Sequence, residues 1–313
     1  MRFGASIWPW RWDPPYENAI KRVGKAGFRA TELISWNREL FDTYYTPQRI
    51  KEIQLVLDGE NVKLSQFVST AEQLTSPDKA VRQKCLDHFK KLVDVGAQLG
   101  TPIVNTVTHY PFAVEVPPLT TRPLVQQFTA EYPKGLDWDR NYEEYVDALR
   151  ECAEYAGAAG LKYSIEPHPY RYAGNTDGLL RLYERVGSEH FGINWDPSHT
   201  FPANDLPHVT VLRLGRRLLH CHFSDNDGVT NVHWRPGMGK IDWKSVMEAL
   251  KEIDYDGVIS LEFEDIPGVS RGAGHAPGVY RNEDATEGFA REYVIALEYL
   301  TGLAKDAGLN VES

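Results

Sequence analysis

Four short segments end in residues that could share one metal ion. In chain order they are Ser164-Ile165-Glu166-Pro167-His168, Asn194-Trp195-Asp196-Pro197-Ser198-His199, His220-Cys221-His222-Phe223-Ser224-Asp225 and Ser260-Leu261-Glu262-Phe263-Glu264-Asp265. Each carries a strand-like run, so Glu166, Asp196, His222 and Glu262 arrive at successive strand ends. Three carboxylates and an imidazole on one rim repel one another unless a cation sits among them. Oxygen-rich donors with a single nitrogen suit Mn2+ or Mg2+, with Co2+ or Fe2+ possible. Zinc prefers more nitrogen or sulfur, and Cys221, alternating against His222, should face away. Any one of these acids is as easily a helix cap or an ion-pair partner. Four at matching strand ends favour a metal site.

Other residues could surround that site. His199 follows Asp196 by three positions and either contacts substrate or caps the next segment. His109 ends another strand candidate and could face the same pocket. His233 and Arg235 fall in a loop where they could grip substrate oxygens or sit in solvent. Trp8, with Trp10 and Trp12, either fills core or forms a stacking wall for a sugar or an aromatic group. His220 shares parity with His222 and reads as a buried layer residue. His88, His190 and His208 read as helix or surface residues.

These residues need a frame that brings eight strand ends together. Strand candidates cover residues 3–7, 29–34, 62–67, 102–107, 161–166, 191–196, 218–223 and 257–262. Helical spacing covers 17–27, a stretch opened by Thr46-Pro47, one opened by Ser76-Pro77 that runs to about 99, then 142–159, 176–186, 205–215, 242–253 and 283–303. Strands alternating with helices require a parallel sheet, and eight repeats close into a (β/α)8 TIM barrel of class α/β. An open doubly wound sheet fits less well, because no G-x-G-x-x-G follows the first strand. The whole chain, 1–313, reads as a single domain. A long insertion loop at about 109–140, with Pro111, Pro117, Pro118, Pro123 and Pro133, has the length of a lid or binding segment. A Gly-rich loop follows from 268 to 278.

The bulk numbers agree with a globular protein: 313 residues, 42% hydrophobic, 25% charged and a net charge of −10. An acidic chain without a basic face is a poor partner for nucleic acid. No apolar run approaches the ~20 residues that span a membrane, and Met1-Arg2-Phe3-Gly4 does not open a signal peptide. Cys85, Cys152 and Cys221 lack CxxC spacing, which implies reduced thiols and a cytoplasmic location.

The ordered set Ile165-Glu166-Pro167, Asp196-Pro197-Ser198-His199, His220-Cys221-His222-Phe223-Ser224-Asp225 and Leu261-Glu262 resembles the xylose-isomerase-like barrels. So does Pro236-Gly237-Met238-Gly239-Lys240-Ile241-Asp242-Trp243. The likeness spans nearly the whole chain and is specific for the superfamily more than for one reaction. It implies that Glu166, Asp196, His222 and Glu262 bind the metal. Ketose 3-epimerases of this superfamily usually carry a further Glu, holding substrate, where this chain has Tyr172. They also tend to read Gly-Glu where it has Ser224-Asp225. The Trp8-Pro9-Trp10-Arg11-Trp12-Asp13-Pro14-Pro15 opening, the long insertion and His168 are more similar to the larger, α subunit of bacterial C-glycoside deglycosidases.

That closer likeness implies a lyase acting on 3-oxo-glycosides with a small β subunit as partner. A ketone at C3 makes the C2 proton acidic, and His168, neutral near working pH, would remove it before the C1 substituent leaves. The alternative is a metal-dependent ketose 3-epimerase or sugar isomerase in which Glu166 and Glu262 exchange the proton. A metal-dependent endonuclease conflicts with the net charge, and a non-catalytic sugar-binding subunit would survive loss of His168.

Overall fold

The structure, a computed structural model, describes the chain apart from residues 36, 70–71, 116–128, 265, 268, 270–282 and 313. Eight parallel strands close a barrel: β1 (Arg2–Ser6), β2 (Ala30–Ser35), β3 (Lys63–Ser69), β4 (Ile103–Val107), β7 (Lys162–Glu166), β8 (Phe191–Trp195), β9 (Leu218–Phe223) and β10 (Val258–Leu261). β1 closes the ring by pairing with both β2 and β10. The two strands β5 (Val114–Glu115) and β6 (Thr129–Ala130) form an antiparallel ribbon inside the expected insertion loop. Pro117, Pro118 and Pro123 of that loop, and most of the 268–278 stretch, lie outside the described residues.

Helices return the chain between strands: α1 (Glu17–Lys25), α2 (Arg38–Tyr44), α3 (Pro47–Gly59), α4 (Lys79–Leu99), α5 (Trp138–Ala158), α6 (Thr176–Val186), α7 (Pro197–Thr200), α8 (Pro207–Leu214), α9 (Trp243–Glu252) and α10 (Glu283–Asp306). Local chemistry sets their starts. Thr46 accepts from the Arg49 amide ahead of Pro47, Asp137 from Arg140 and Asn175 from Gly178. α4 begins later than its Ser76-Pro77 signal, because Asp78 is the residue that caps it. α5 begins earlier than residue 142 because Asp137 caps it at Trp138. Gly100 and Gly187, both left-handed, stop α4 and α6.

Alternation along each strand separates two environments. Tyr163 and Ile165, Ile193 and Trp195, Cys221 and Phe223, and Ile259 and Leu261 are buried on the apolar side, which packs against the helices. Their polar neighbours Ser164 and Glu166, Asn194, His220 and His222, and Ser260 are buried on the other side, in the barrel interior. The register skips one residue twice: Thr31 pairs with Leu64 but Glu32 with Gln66, and Ile193 pairs with Leu218 but Asn194 with His220. Such bulges re-aim side chains and here place polar pairs side by side. No helix among the described residues is long and apolar enough to cross a membrane.

Candidate metal centre

Ligand atoms from Glu166, Asp196, His222 and Glu262 lie within 4.8 Å of one another at the C-terminal rim of the barrel. Each comes from the end of one of four neighbouring strands, β7, β8, β9 and β10. His222 is the hub. Its Nδ1 lies 2.7 Å from Glu166 Oε1 and 2.8 Å from Glu262 Oε2. Asp196 serves two ends at once. Its Oδ1 accepts from the Ser198 amide at 2.7 Å and so caps α7, which leaves Oδ2 for the site. Oδ2 faces His233 Nε2 at 3.3 Å and His199 Nε2 at 3.6 Å. Asn105 on β4 donates to Glu166 Oε2 at 3.3 Å.

The electrostatics ask for a cation. Burial, reinforced by Glu262 and Asp196, outweighs His222 and raises the Glu166 carboxyl to about 7. Burial opposes charge on His222, yet Glu166, Glu32 and Glu262 together hold its ring protonated well above the usual range. Glu262 Oε2 is buried and, although close to Nδ1, lies outside hydrogen-bonding geometry with any donor. An orphaned carboxylate oxygen among three acids and one imidazole fits a hard divalent ion.

Beside this cluster stand three imidazoles. His168 and His199 have ring centroids 3.9 Å apart, and His199 and His233 are 4.9 Å apart. His199 Nδ1 bonds Asn231 Oδ1 at 2.8 Å, and burial lowers its ring to about 4. Burial, with His199 and Arg171 nearby, holds His168 well below the usual histidine range. Ligand atoms of Glu166, His168 and His199 also lie within 4.8 Å of one another. The site thus has neutral bases at its edge and carboxylates at its centre.

The remaining expected residues fall in different places. Trp8 is buried, and its indole N–H donates to Glu262 Oε1 at 2.7 Å while the ring meets His222 edge-on. Its N–H therefore braces a carboxylate of the cluster, a role that neither core filling nor a stacking wall describes. Arg235 lies with its Nε on Glu292 of α10 at 2.8 Å and its Nη1 on Pro236 O, both ties within the protein. His109 is buried and lowered to about 3 by burial, with Arg171 and Arg38 adding to it. His220 is a buried layer residue: its Nδ1 donates to Asn194 Oδ1 at 3.0 Å. Cys221 faces the helices, where burial pushes its thiol up to about 12. Tyr172 donates to Asn141 Oδ1 at 2.7 Å within an aromatic group that includes Tyr110, Trp138 and Tyr145.

Two residues of this centre are not singled out by the sequence alone. Glu32 on β2 and Gln66 on β3 are fully buried and reach the far side of the His222 ring, Glu32 Oε2 at 2.8 Å and the Gln66 amide nitrogen at 2.9 Å from Nε2. The available signal is a charged residue within the strand Ala30–Ser35, opposite an amide in the next strand.

The chain is a closed eight-stranded parallel barrel whose C-terminal rim carries an acidic and imidazole cluster that could hold a metal ion. The chain belongs to the xylose isomerase-like TIM barrel family, whose model matches residues 20–283. Among curated relatives, D-psicose 3-epimerase of Ruminiclostridium cellulolyticum is 23% identical over 82% of this chain and 81% of its own. Among solved structures, D-psicose 3-epimerase with D-tagatose from Clostridium cellulolyticum superposes with a TM-score of 0.76 at 20% identity, covering 97% of this chain and 99% of that one. The apo 3-keto-D-glucoside 4-epimerase of Escherichia coli superposes with a TM-score of 0.70 at 16% identity, covering 96% and 99%.

Proposed function

We propose that the protein is a metal-dependent sugar epimerase or isomerase that moves a proton on the carbon beside a ketone. The observation that carries this reading is the convergence of Glu166 and Glu262 on one His222 nitrogen, at 2.7 and 2.8 Å, from strands three apart around the barrel. Glu166, Asp196, His222 and Glu262 would hold the ion, Mn2+ by preference. The ion would supply Lewis acidity that stabilises charge developing on the ketone oxygen. One carboxylate takes the proton from the carbon next to the carbonyl, and the electron pair moves into the enediolate. The other carboxylate returns a proton to the opposite face, so that configuration inverts and nothing else changes. The relatives and structural neighbours, sugar 3- and 4-epimerases, support this class of chemistry.

A second reading has an observation of its own. His168 is held neutral and packs on His199 within reach of Glu166, where an imidazole can act as a base. In that reading the substrate is a 3-oxo-C-glycoside. His168 takes the C2 proton, the electron pair forms the C1–C2 double bond, and the C1 substituent leaves with the C1–C bond pair and is protonated. A small β subunit and a cytoplasmic location belong to this reading. Tyr172, in the position of a substrate-holding Glu in ketose 3-epimerases, also favours a substrate other than a free ketose.

One experiment separates the two. Mn2+-loaded protein is incubated in D2O with a free ketohexose and, separately, with a 3-oxo-C-glycoside. Deuterium entering the ketohexose beside its carbonyl, with inversion, is the expected result. Release of the aglycone, lost in His168→Ala, would replace it with the lyase. No exchange and no release with metal-loaded protein would overturn both.

A further inference from the structure

His222 is gripped from both sides, and only one side belongs to the candidate ion site. Nδ1 faces Glu166 and Glu262. Nε2 faces Glu32 Oε2 at 2.8 Å, on the opposite edge of the ring. The Gln66 amide donates to that same Glu32 oxygen, and the Asn194 amide nitrogen lies 3.3 Å from Nδ1 and 3.4 Å from Nε2. A carboxylate without exposed surface is costly unless donors meet it. Here the donors to Oε2 are the ring N–H and the Gln66 amide. The bulge that pairs Glu32 with Gln66 turns both side chains under the same imidazole.

A neutral imidazole has one N–H and one lone pair, and the partner of the first decides where the second points. If Nε2–H is given to Glu32, the lone pair must sit on Nδ1, aimed at the other three acids. Glu32 itself cannot join those acids around one ion, because its oxygen meets the ring at the other nitrogen. It groups instead with His220 and His222 on the interior side.

We propose that Glu32 is a positioning residue for the metal centre: it fixes the tautomer and ring orientation of His222, and Gln66 holds Glu32 in place. This rests on the reading that Glu166, Asp196, His222 and Glu262 hold a divalent ion. Carboxylates behind a metal-binding imidazole commonly contribute 10- to 100-fold in metal affinity.

The test uses the full chain, stripped by chelator and titrated with Mn2+ alone by calorimetry. Glu32→Gln should weaken Mn2+ binding roughly 10- to 100-fold. Glu32→Asp, which keeps the charge, should regain part of it and serves if the Gln variant does not fold. Nitrogen-15 spectra of histidine-labelled protein saturated with diamagnetic Mg2+ give a readout that a purely structural role would not move. In the wild type, His222 should carry its proton on Nε2. In Glu32→Gln, the Nε2 signal should broaden or shift toward exchange between the two nitrogens. Variants that bind Mn2+ as the wild type does and keep the same His222 signals would overturn the role of Glu32 and leave the ion site standing. A wild type that binds no Mn2+ would overturn the ion site itself, and the proposal with it.

Discussion

Glu262 is pulled three ways: Trp8 holds one oxygen, His222 Nδ1 approaches the other, and the backbone leaves β10 at this residue. Glu262→Gln keeps the shape and removes the charge, so Mn2+ affinity and turnover should fall together. Glu264→Gln, past the strand and also buried, should cost less in both; equal losses measured by titration and assay would mean the wrong acid has been assigned. His109 is lowered to about 3, below the ordinary value of 6.5, chiefly by burial. Its contribution to stability is therefore complete above pH 6.5 and is lost as the pH falls through 6.5 toward 3. Between pH 6.5 and 5 the loss should be on the order of 2 kcal/mol, from the span of 1.5 pH units at ~1.4 kcal/mol each. Denaturant titrations at pH 7 and pH 5 should show at least that loss, since burial also lowers His168, His199 and His220, and His109→Asn should lose less; an equal loss of stability in the variant would mean that His109 titrates normally. The four rim residues are legible in sequence because each interrupts or ends an apolar run at the same point of a repeated unit. Glu32 is not, since a lone acid in a strand usually faces water, and only the ring of strands turns that face inward. Trp8 is half legible: its crowding with Trp10 and Trp12 shows in sequence, but its donor role depends on Glu262, which lies 254 residues away.

The loop after β9 is tied around a buried carboxylate. Asp225 has no exposed surface and accepts from the amides of Asn226, Gly237 and Ile241 and from the Trp243 indole, while its backbone bridges to Trp234. This knot fixes the segment that brings His233 to Asp196. Gly239 passes against it so closely that a Cβ there would lie 2.2 Å from Asn226 O and 2.3 Å from Asp225 Oδ1. Backbone and a buried carboxylate cannot yield cheaply. Gly239→Ala should loosen the loop, raise KM several-fold and speed limited proteolysis within 227–240, with a smaller change in melting temperature. An unaltered KM and digestion pattern would show that the loop does not shape the site. At this scale the sequence is informative wherever structure is local. Caps at Thr46, Asp137 and Asn175 and left-handed glycines at 100 and 187 lie within a few residues of the ends they set. It is uninformative about the two bulges, which exist only in the pairing of distant strands, and about the short helices α2 and α7. Four residues of α7 leave no periodicity to detect, and its Asp196 cap is also a rim acid.

For the whole molecule, the ring closes by pairing β1 with β10, so the rim cluster links strands from the last half of the chain and, through Trp8 and Glu32, reaches back to its start. An ion bound there connects parts of the chain that unfold together. Ligand that binds only the folded state stabilises it by mass action, by about 2.7 kcal/mol at a hundredfold excess over Kd. In a chain of this size that is a rise of roughly 5 °C in melting temperature. Mn2+ added to chelator-stripped protein should produce such a rise, growing with the logarithm of free Mn2+ once that exceeds Kd, and excess chelator should reverse it. Sodium at equal ionic strength should not reproduce it, because exposed ion pairs respond to any salt. The double variant Glu166→Gln with Glu262→Gln neutralises two of the three carboxylate donors and should abolish the rise. If that variant kept the full rise, the ion would have to sit elsewhere, and Asp196 with His199 and His233, or Glu32 with His220 and His222, could then hold it. That outcome would move the centre of the chemistry from the carboxylates to the imidazoles.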